Sequence, residues 1–486
     1  MPLSIAIIGS EIAPYSKAGG LGDVMNALPK HLRRLGHGAT VVTPYYQFIN
    51  QQDVPQTEIG RTEVVFGGRT YPVWFTRAEL PGHTPVPVIF VHQPDLFGNR
   101  ERVYGYSDDA LRFAVFDRSV FDVFHLLGKA PDILHCHDMQ TGLIPNFYRS
   151  TFSKDPFWAK TAIVYTIHNI LYQLPRMWYE VPKHERDRGL GAPPEDPKRL
   201  AAVNFTLRGI RNADAINTVS ERYAQEILTK KFGEGLDPVL RRRRDRVYGI
   251  INGIDYTVFN PSFDPHVPIH YDWNSLDKKL ANKTAYQKEF GLTIDPEIPL
   301  LGIAHRFTEQ KGFNLIAEIL PVLLQGRVQL AITGFGDRGY VRLFRQAVKK
   351  FPRQVAANLR FEEPMASRIY AASDMFLMPS RFEPCGVSQL ISLRYGSIPI
   401  VHRTGGLAET ITDFNPRTGI GNGFIFENYT GPDLLMALTR AIETYKYPQV
   451  WEHLTWQAMR QSFSWELPAQ KYLQLYRRAQ KFHAVV

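Results

Sequence analysis

The sequence predicts an α/β protein of two doubly wound domains, and three observations carry that prediction. Short β-branched runs recur along the chain without clean alternation of apolar and polar residues, as parallel strands buried on both faces do. Stretches with helical spacing separate several of these runs. The pattern breaks once, at the proline- and aromatic-rich "NPSFDPHVPIHYDWN" from Asn260, and then restarts. Length agrees, since 486 residues at roughly 150 per domain make two or three domains.

The first half supplies "IAIIG" from Ile5, "ATVVT" from Ala39, "VPVIFV" from Val86, "DILH" from Asp132, "TAIVYTI" from Thr161 and "ADAINTV" from Ala213. Between the first two, Val24, Ala27, Leu28, Leu32 and Leu35 share one helical face, with Pro29 expected to kink that helix or fall near its first turns. The charged, proline-rich "VPKHERDRGLGAPPEDPKR" from Val181 has no period and reads as an exposed insertion or lid. The second half supplies "PLLGIA" from Pro299, "VQLAIT" from Val328, "DMFLM" from Asp374, "IPIV" from Ile398 and "GFIF" from Gly423. The domains are therefore expected at 1–258 and 259–464, with an aromatic-rich helix at 465–486 packing back on the first.

A formal net charge of +10 favours acidic partners. No helix-turn-helix, zinc-finger or RNA-recognition signature accompanies it, so nucleic acid is not expected as a partner. The densest basic cluster, "RRRRDR" from Arg241, reads as a solvated helix end, and a small anionic substrate accounts for excess positive charge equally well. Two cysteines, Cys136 and Cys385, make no disulfide framework. No apolar run approaches the roughly 18 residues of a membrane span, and the N-terminus lacks a signal peptide's positive region, so a cytoplasmic protein without a membrane partner is expected.

Glycine-rich strand-to-helix turns occur in both halves: "SKAGGLGD" from Ser16, "TGFGD" from Thr333 and "TGGLAET" from Thr404. Glycine allows close backbone approach, and a helix N-terminus favours an anion. A dinucleotide site is excluded, because it needs an acid at the end of the next strand. The first loop is followed by "VVTPYY" and the second by "QVAAN". Polar residues mark other strand ends. "DILHCHDMQTG" puts His135 and His137 on one side of a strand, too few ligands for structural zinc, with Asp138 at the turn. "YTIHNILYQ" ends a strand in His168 and Asn169. "AHRFTEQKG" sets Arg306 and Lys311 to clamp phosphate, and "PSRFEPCGVSQ" sets Glu383 to accept from sugar hydroxyls.

In order, "SKAGGLGDV", "HCHDMQTGL", "TIHNILYQ", "TVSERYAQEI", "INGIDYTVFNP", "RFTEQKG", "PSRFEPCGVSQ", "PIVHRTGGLAETI" and "GNGFIF" resemble the bacterial glycogen synthase and starch synthase family over nearly the whole chain. The resemblance implies the GT-B architecture, two Rossmann-like domains with a deep cleft. It implies a retaining transferase that moves glucose from ADP-glucose to the non-reducing end of an α-1,4-glucan (glycogen, starch or maltooligosaccharide), with no metal and no cofactor. A glucan-binding or priming protein of the same fold, or a synthase preferring UDP-glucose, are the alternatives. A plastid location would follow if a transit peptide had been removed.

Residue by residue, the resemblance implies that Lys17, Gly19 and Gly20 form a nucleotide-sugar loop and that Arg306 and Lys311 meet the diphosphate. It implies backbone N–H groups to phosphate from Thr404, Gly405, Gly406 and Leu407. Glucose is expected at Glu383, Cys385 and Gly386, with His168, Asp138 and Asn252 near the reacting sugar. Phe361 stands where a tyrosine often stacks on adenine, which keeps the stacking and loses a hydroxyl. Met139 and Phe259 replace common tryptophans, and Leu174 a usual glycine.

Overall fold

The computed structural model describes residues 1–360 and 362–484. The chain divides into two compact units, Met1–Asn252 with Trp465–Val486, and Gly253–Ser464. The division falls at 252–253 rather than the expected 258–259. Just past it, Ile254 bridges Ser464, and its N–H donates to the Phe463 carbonyl at 2.8 Å, which ties this stretch to the second unit.

The strands of the first unit are β1 (Ser4–Ile8), β2 (Gly38–Pro44), β3 (Thr57–Phe66), β4 (Arg69–Glu79), β5 (Pro87–His92), β6 (Ile133–His137), β7 (Ala162–Ile167), β8 (Ala215–Thr218) and β9 (Val247–Gly249). They form one sheet in the order β3-β4-β5-β2-β1-β6-β7-β8-β9. Pairing is parallel from β5 to β9, and antiparallel only where β3 and β4 join. The β3–β4 hairpin was not foreseen. It turns at Gly67 and Gly68, both at positive φ (63° and 70°), the backbone that a two-residue hairpin turn requires.

The helix Gly20–Arg34 buries Val24, Ala27, Leu28 and Leu32 as its spacing predicts, and it continues through Pro29. The C-terminal helix Glu466–His483 buries Ala469, Tyr472, Leu475, Tyr476 and Ala479 within the core of the first unit, against β7, β8 and the helix Gly20–Arg34. In the basic cluster, Arg243 donates to the carbonyls of Ile210, Arg211 and Ala213, capping the helix Phe205–Asn212 at its carboxyl end. The segment after Val181 is pinned rather than loose: both Asp187 oxygens accept from buried Arg208, which also reaches the Gly191 carbonyl.

The second unit holds β10 (Leu300–Ala304), β11 (Gln329–Thr333), β12 (Val355–Asn358), β13 (Met375–Met378), β14 (Ile398–His402) and β15 (Phe424–Phe426), all parallel in the order β12-β11-β10-β13-β14-β15. β10, β11, β13 and β14 are buried throughout, which explains their lack of alternation. A buried lysine, Lys279, caps the helix Glu363–Ala372 through the carbonyls of Tyr370, Ala371 and Ser373. No described helix is long and apolar enough to cross a membrane.

Candidate active site

In an open parallel sheet, ligands lie beyond the carboxyl ends of the strands where the winding direction reverses. That reversal falls between β1 and β6 in the first unit, and between β10 and β13 in the second. The chemistry-bearing motifs follow those strands.

After β1 the chain forms a loop bonded to itself. Ile12 N–H donates to Ser16 Oγ (3.1 Å), Ser16 N–H to the Ile12 carbonyl (2.7 Å) and Ala13 N–H to the Gly22 carbonyl (3.0 Å). Buried Glu11 accepts the N–H groups of Ala18 and, at 2.7 Å, Gly19 through Oε2. The Gly19 N–H is therefore turned inward, to Glu11. Gly20 opens the following helix, whose N-terminus has no side-chain cap, and exposed Lys17 pairs with Asp23 at 2.9 Å.

After β6, Asp138 adopts φ 61° and ψ −177°, a conformation that strains any residue but glycine and that recurs at functional sites. It is held by its own N–H to the Thr166 carbonyl (2.8 Å) and by Oδ1, which accepts the His168 N–H at 2.7 Å. Burial raises the Asp138 carboxyl to about 7, against the opposing effect of the His168 and Asn169 N–H groups. His137 Nδ1 and His168 Nε2 lie 2.9 Å apart, so one ring donates to the other. His137 Nε2 is buried and makes no hydrogen bond. His135 packs against His137, the rings tilted by 43° with centroids 4.0 Å apart, and is fixed by Thr166 Oγ1 (2.7 Å) and the Tyr476 hydroxyl (2.9 Å). Burial lowers His168 to about 4 and His135 to about 3, so this column of rings is neutral at ordinary pH.

In the second unit, Arg306 is exposed after β10, and Lys311 follows it in a short 3₁₀ turn. Lys311 Nζ lies 2.6 Å from Glu383 Oε2, which also accepts the Ser380 hydroxyl at 3.0 Å. Glu383 is buried, and both of these donors fall on Oε2 rather than Oε1. Ser380 is fixed in turn, because the His402 Nδ1–H donates to its carbonyl at 2.9 Å. Cys385 is a buried free thiol, and Gly386 (φ 72°) begins the turn into the helix Ser388–Arg394.

The loop at Thr404 packs backbone to backbone on the Glu383–Cys385 turn. A Cβ on Gly406 would stand 1.9 Å from the Cys385 carbonyl oxygen, so only glycine fits. Three N–H groups of the loop are bonded within the chain. Thr404 N–H donates to the His402 carbonyl, Gly406 N–H to the Glu383 carbonyl and Leu407 N–H to the Thr404 carbonyl. The polar group left over is Thr404 Oγ1, buried and without a hydrogen bond, as is Asn252 Oδ1 in the first unit.

Of the expected site residues, Lys17, Gly20, Asp138 and His168 thus stand at the first unit's switch point, and Arg306, Lys311, Glu383, Cys385, Gly386 and Thr404 at the second's. Gly405 and Leu407 are buried in the second unit, and Phe361 lies outside the described residues. Glu11 and Ser380 were missed. Each is a polar residue within a few positions of a strand end, next to a motif that drew attention for other residues. Among the described residues, no group of three or more His, Cys, Asp or Glu side chains is placed to hold a metal ion. An open cavity of about 410 Å³ in the second unit, bounded by Thr412, Trp456 and Gln461, is lined by none of these residues.

Comparison with known proteins matches residues 4–242 to the starch synthase catalytic domain and residues 287–453 to group 1 glycosyl transferases. The chain is 42% identical to a glycogen synthase of Clostridium perfringens over 482 residues, 98% of each chain. It is 40% identical to one of Syntrophotalea carbinolica, over 99% of this chain and 100% of that one. Among solved structures, the catalytic domain of starch synthase IV from Arabidopsis thaliana, bound to ADP and acarbose, superposes with a TM-score of 0.87 at 32% identity, over 99% of this chain and 100% of that one. Sucrose-phosphate synthase from Thermosynechococcus elongatus, at 16% identity and a TM-score of 0.61, shares the fold. With two Rossmann-like units of the GT-B kind and likeness over essentially its full length, the chain belongs to the glycogen and starch synthase family of glycosyltransferases.

Proposed function

We propose that the protein transfers glucose from ADP-glucose to the non-reducing end of an α-1,4-glucan with retention of configuration. The observation that carries this reading is the arrangement after β10 and β13: a buried carboxylate fixed on one oxygen by Lys311 and Ser380, with a second cation, Arg306, on the same loop as the lysine. Oriented carboxylate acceptors suit sugar hydroxyls, and fixed cations suit a departing diphosphate. The ADP named in the Arabidopsis structure and the glycogen synthase relatives support the donor and the glucan acceptor.

In this reading the bond between the glucosyl carbon and the diphosphate breaks, and the acceptor hydroxyl attacks from the same face through an ion-pair intermediate. The departing phosphate takes the hydroxyl's proton. Arg306 and Lys311 stabilise charge gathering on the leaving ADP, and Glu383 orients the glucose. His168, neutral, offers its ring and its backbone carbonyl to the positively charged sugar. No metal or resident cofactor is called for.

The test measures glucose incorporation into glycogen from ADP-glucose and UDP-glucose side by side, with Glu383→Ala as control and the linkage read by NMR. ADP-glucose transfer into α-1,4 linkages, lost in the control, is expected. Preference for UDP-glucose overturns the donor. Absence of transfer from both overturns the enzyme in favour of a glucan-binding protein.

A further inference from the structure

Glu11 lies three residues beyond the end of β1, buried inside the loop that carries Lys17. Its Oε2 accepts two consecutive loop N–H groups, from Ala18 and Gly19, and a Cβ on Gly19 would touch its Oε1 at 3.5 Å. Successive N–H groups converging on one oxygen form the nest that a bound anion ordinarily fills. Here the anion belongs to the chain. Other parts of the loop have their own ties, Ala13 N–H to the Gly22 carbonyl, Gln52 Nε2 to the Tyr15 carbonyl (2.8 Å) and the Tyr46 hydroxyl to the Ser10 carbonyl (2.7 Å), while Glu11 is the group that holds Ala18 and Gly19 toward the strand end. With those two N–H groups turned inward, the polar groups that the loop presents on its exposed side include Lys17 and the first turn of the helix Gly20–Arg34, which has no side-chain cap.

We propose that Glu11 is a positioning residue for the donor: its carboxylate fixes the Lys17–Gly20 loop in the shape that presents Lys17 and the helix N-terminus to a nucleotide diphosphate. The proposal rests on the synthase reading and deepens it. A carboxylate accepts both N–H bonds with charge assistance, whereas the neutral acid accepts more weakly and carries a hydroxyl that needs its own acceptor. Asp138 faces Glu11 from the end of β6, Asp23 from the helix Gly20–Arg34 and the Tyr46 phenol from the end of β2; Lys17 is paired to Asp23. Burial raises the Glu11 carboxyl to about 7, opposed by the two loop N–H groups. Glu11 therefore grips the loop above about pH 7 and takes a proton below it, so donor affinity falls toward acid. A diphosphate diester keeps its full charge over that range and adds no titration of its own.

The experiment measures kcat and both KM values for the wild type, Glu11→Gln and Glu11→Asp from about pH 5.5 to about pH 8.5, with ADP affinity read separately by calorimetry. At the alkaline end, Glu11→Gln is expected to raise the donor KM and the ADP Kd by about three- to tenfold with the acceptor KM unchanged. The wild-type donor KM climbs below about pH 7, and that of Glu11→Gln stays flat. Glu11→Asp keeps the charge but withdraws it by one methylene, so it raises the donor KM and retains the acid climb. It decides the matter if Glu11→Gln does not fold. A donor KM within about twofold of wild type in either variant, equal changes in both KM values, or an acid climb that survives in Glu11→Gln each overturns the proposal. Wild type without transfer overturns the synthase reading instead, and the ADP titration then still judges Glu11.

Discussion

At the switch point of the first unit burial pushes two histidines and two carboxyls toward their neutral forms behind the Lys17–Asp23 pair, while at that of the second Lys311 and the buried Glu383 form an ion pair. His168 and His135 are pushed down to about 4 and about 3, and Asp138 and Glu11 up to about 7. In the second unit Lys311 and Glu383 meet at 2.6 Å. Desolvated neutral groups act through short, directional hydrogen bonds, whereas a preorganised ion pair supplies field. In the proposed reading the desolvated groups of the first unit serve the reacting sugar, while in the second Lys311 serves the departing diphosphate and its partner Glu383 the glucose hydroxyls.

The largest test of that contrast is Lys311→Ala. Removing one preorganised donor to the leaving group is expected to lower kcat by on the order of 100- to 1000-fold with little change in the glucan KM. Because the variant leaves Glu383 buried without its cation, a melting curve accompanies the kinetics, and Lys311→Arg is expected to restore both in part. An unchanged kcat removes Lys311 from the chemistry.

Much of this was legible in the sequence, and the parts that were not share a cause. The buried runs at Ile5, Thr161, Pro299 and Ile398 became strands because four or five consecutive apolar residues have few other places to go. His168, Asp138, Lys311 and Glu383 were legible because they close such runs. The β3–β4 hairpin was missed because its strands, at a half-solvated sheet edge, alternate rather than run apolar; the Gly67-Gly68 pair was the available signal. The inward bonding of the Gly19 and Gly406 N–H groups was not legible, because a glycine turn reads the same whether its donors face a ligand or the chain. Glu11 and the Glu383 and Pro384 carbonyls that engage Gly19 and Gly406 are tertiary partners, absent from the local pattern.

A second test sets function against stability in the first unit. Asp138→Asn keeps the shape and an acceptor for the His168 N–H, and asparagine tolerates positive φ better than most residues. The carboxyl's folded pKa is raised, so its contribution to stability is present at low pH and lost as pH rises through about 7. The variant is therefore expected to melt higher than wild type at about pH 8, with the advantage shrinking toward about pH 5, while kcat falls by about 100-fold. A melting difference that does not vary with pH would remove the buried charge from the account and with it the contrast between the two units.

The smallest effect concerns how the neutral column is held from behind. The Tyr476 hydroxyl meets His135 Nδ1, and His135 packs at a tilt on His137, which reaches His168. Tyr476→Phe keeps the packing of the C-terminal helix and deletes that one bond between neutral groups, for an expected loss of about 1 kcal/mol in unfolding free energy. In the second unit, Tyr395→Phe deletes a buried hydroxyl that donates to the Asp264 carboxylate at 2.6 Å, and is expected to cost about 2 kcal/mol. Denaturant melts of the two variants compare like with like: one hydroxyl, both fully buried, against a neutral and a charged acceptor. Equal losses would mean that a carboxylate partner adds nothing to a buried tyrosine bond over an imidazole partner, and the energetic contrast between the two units would fall with it.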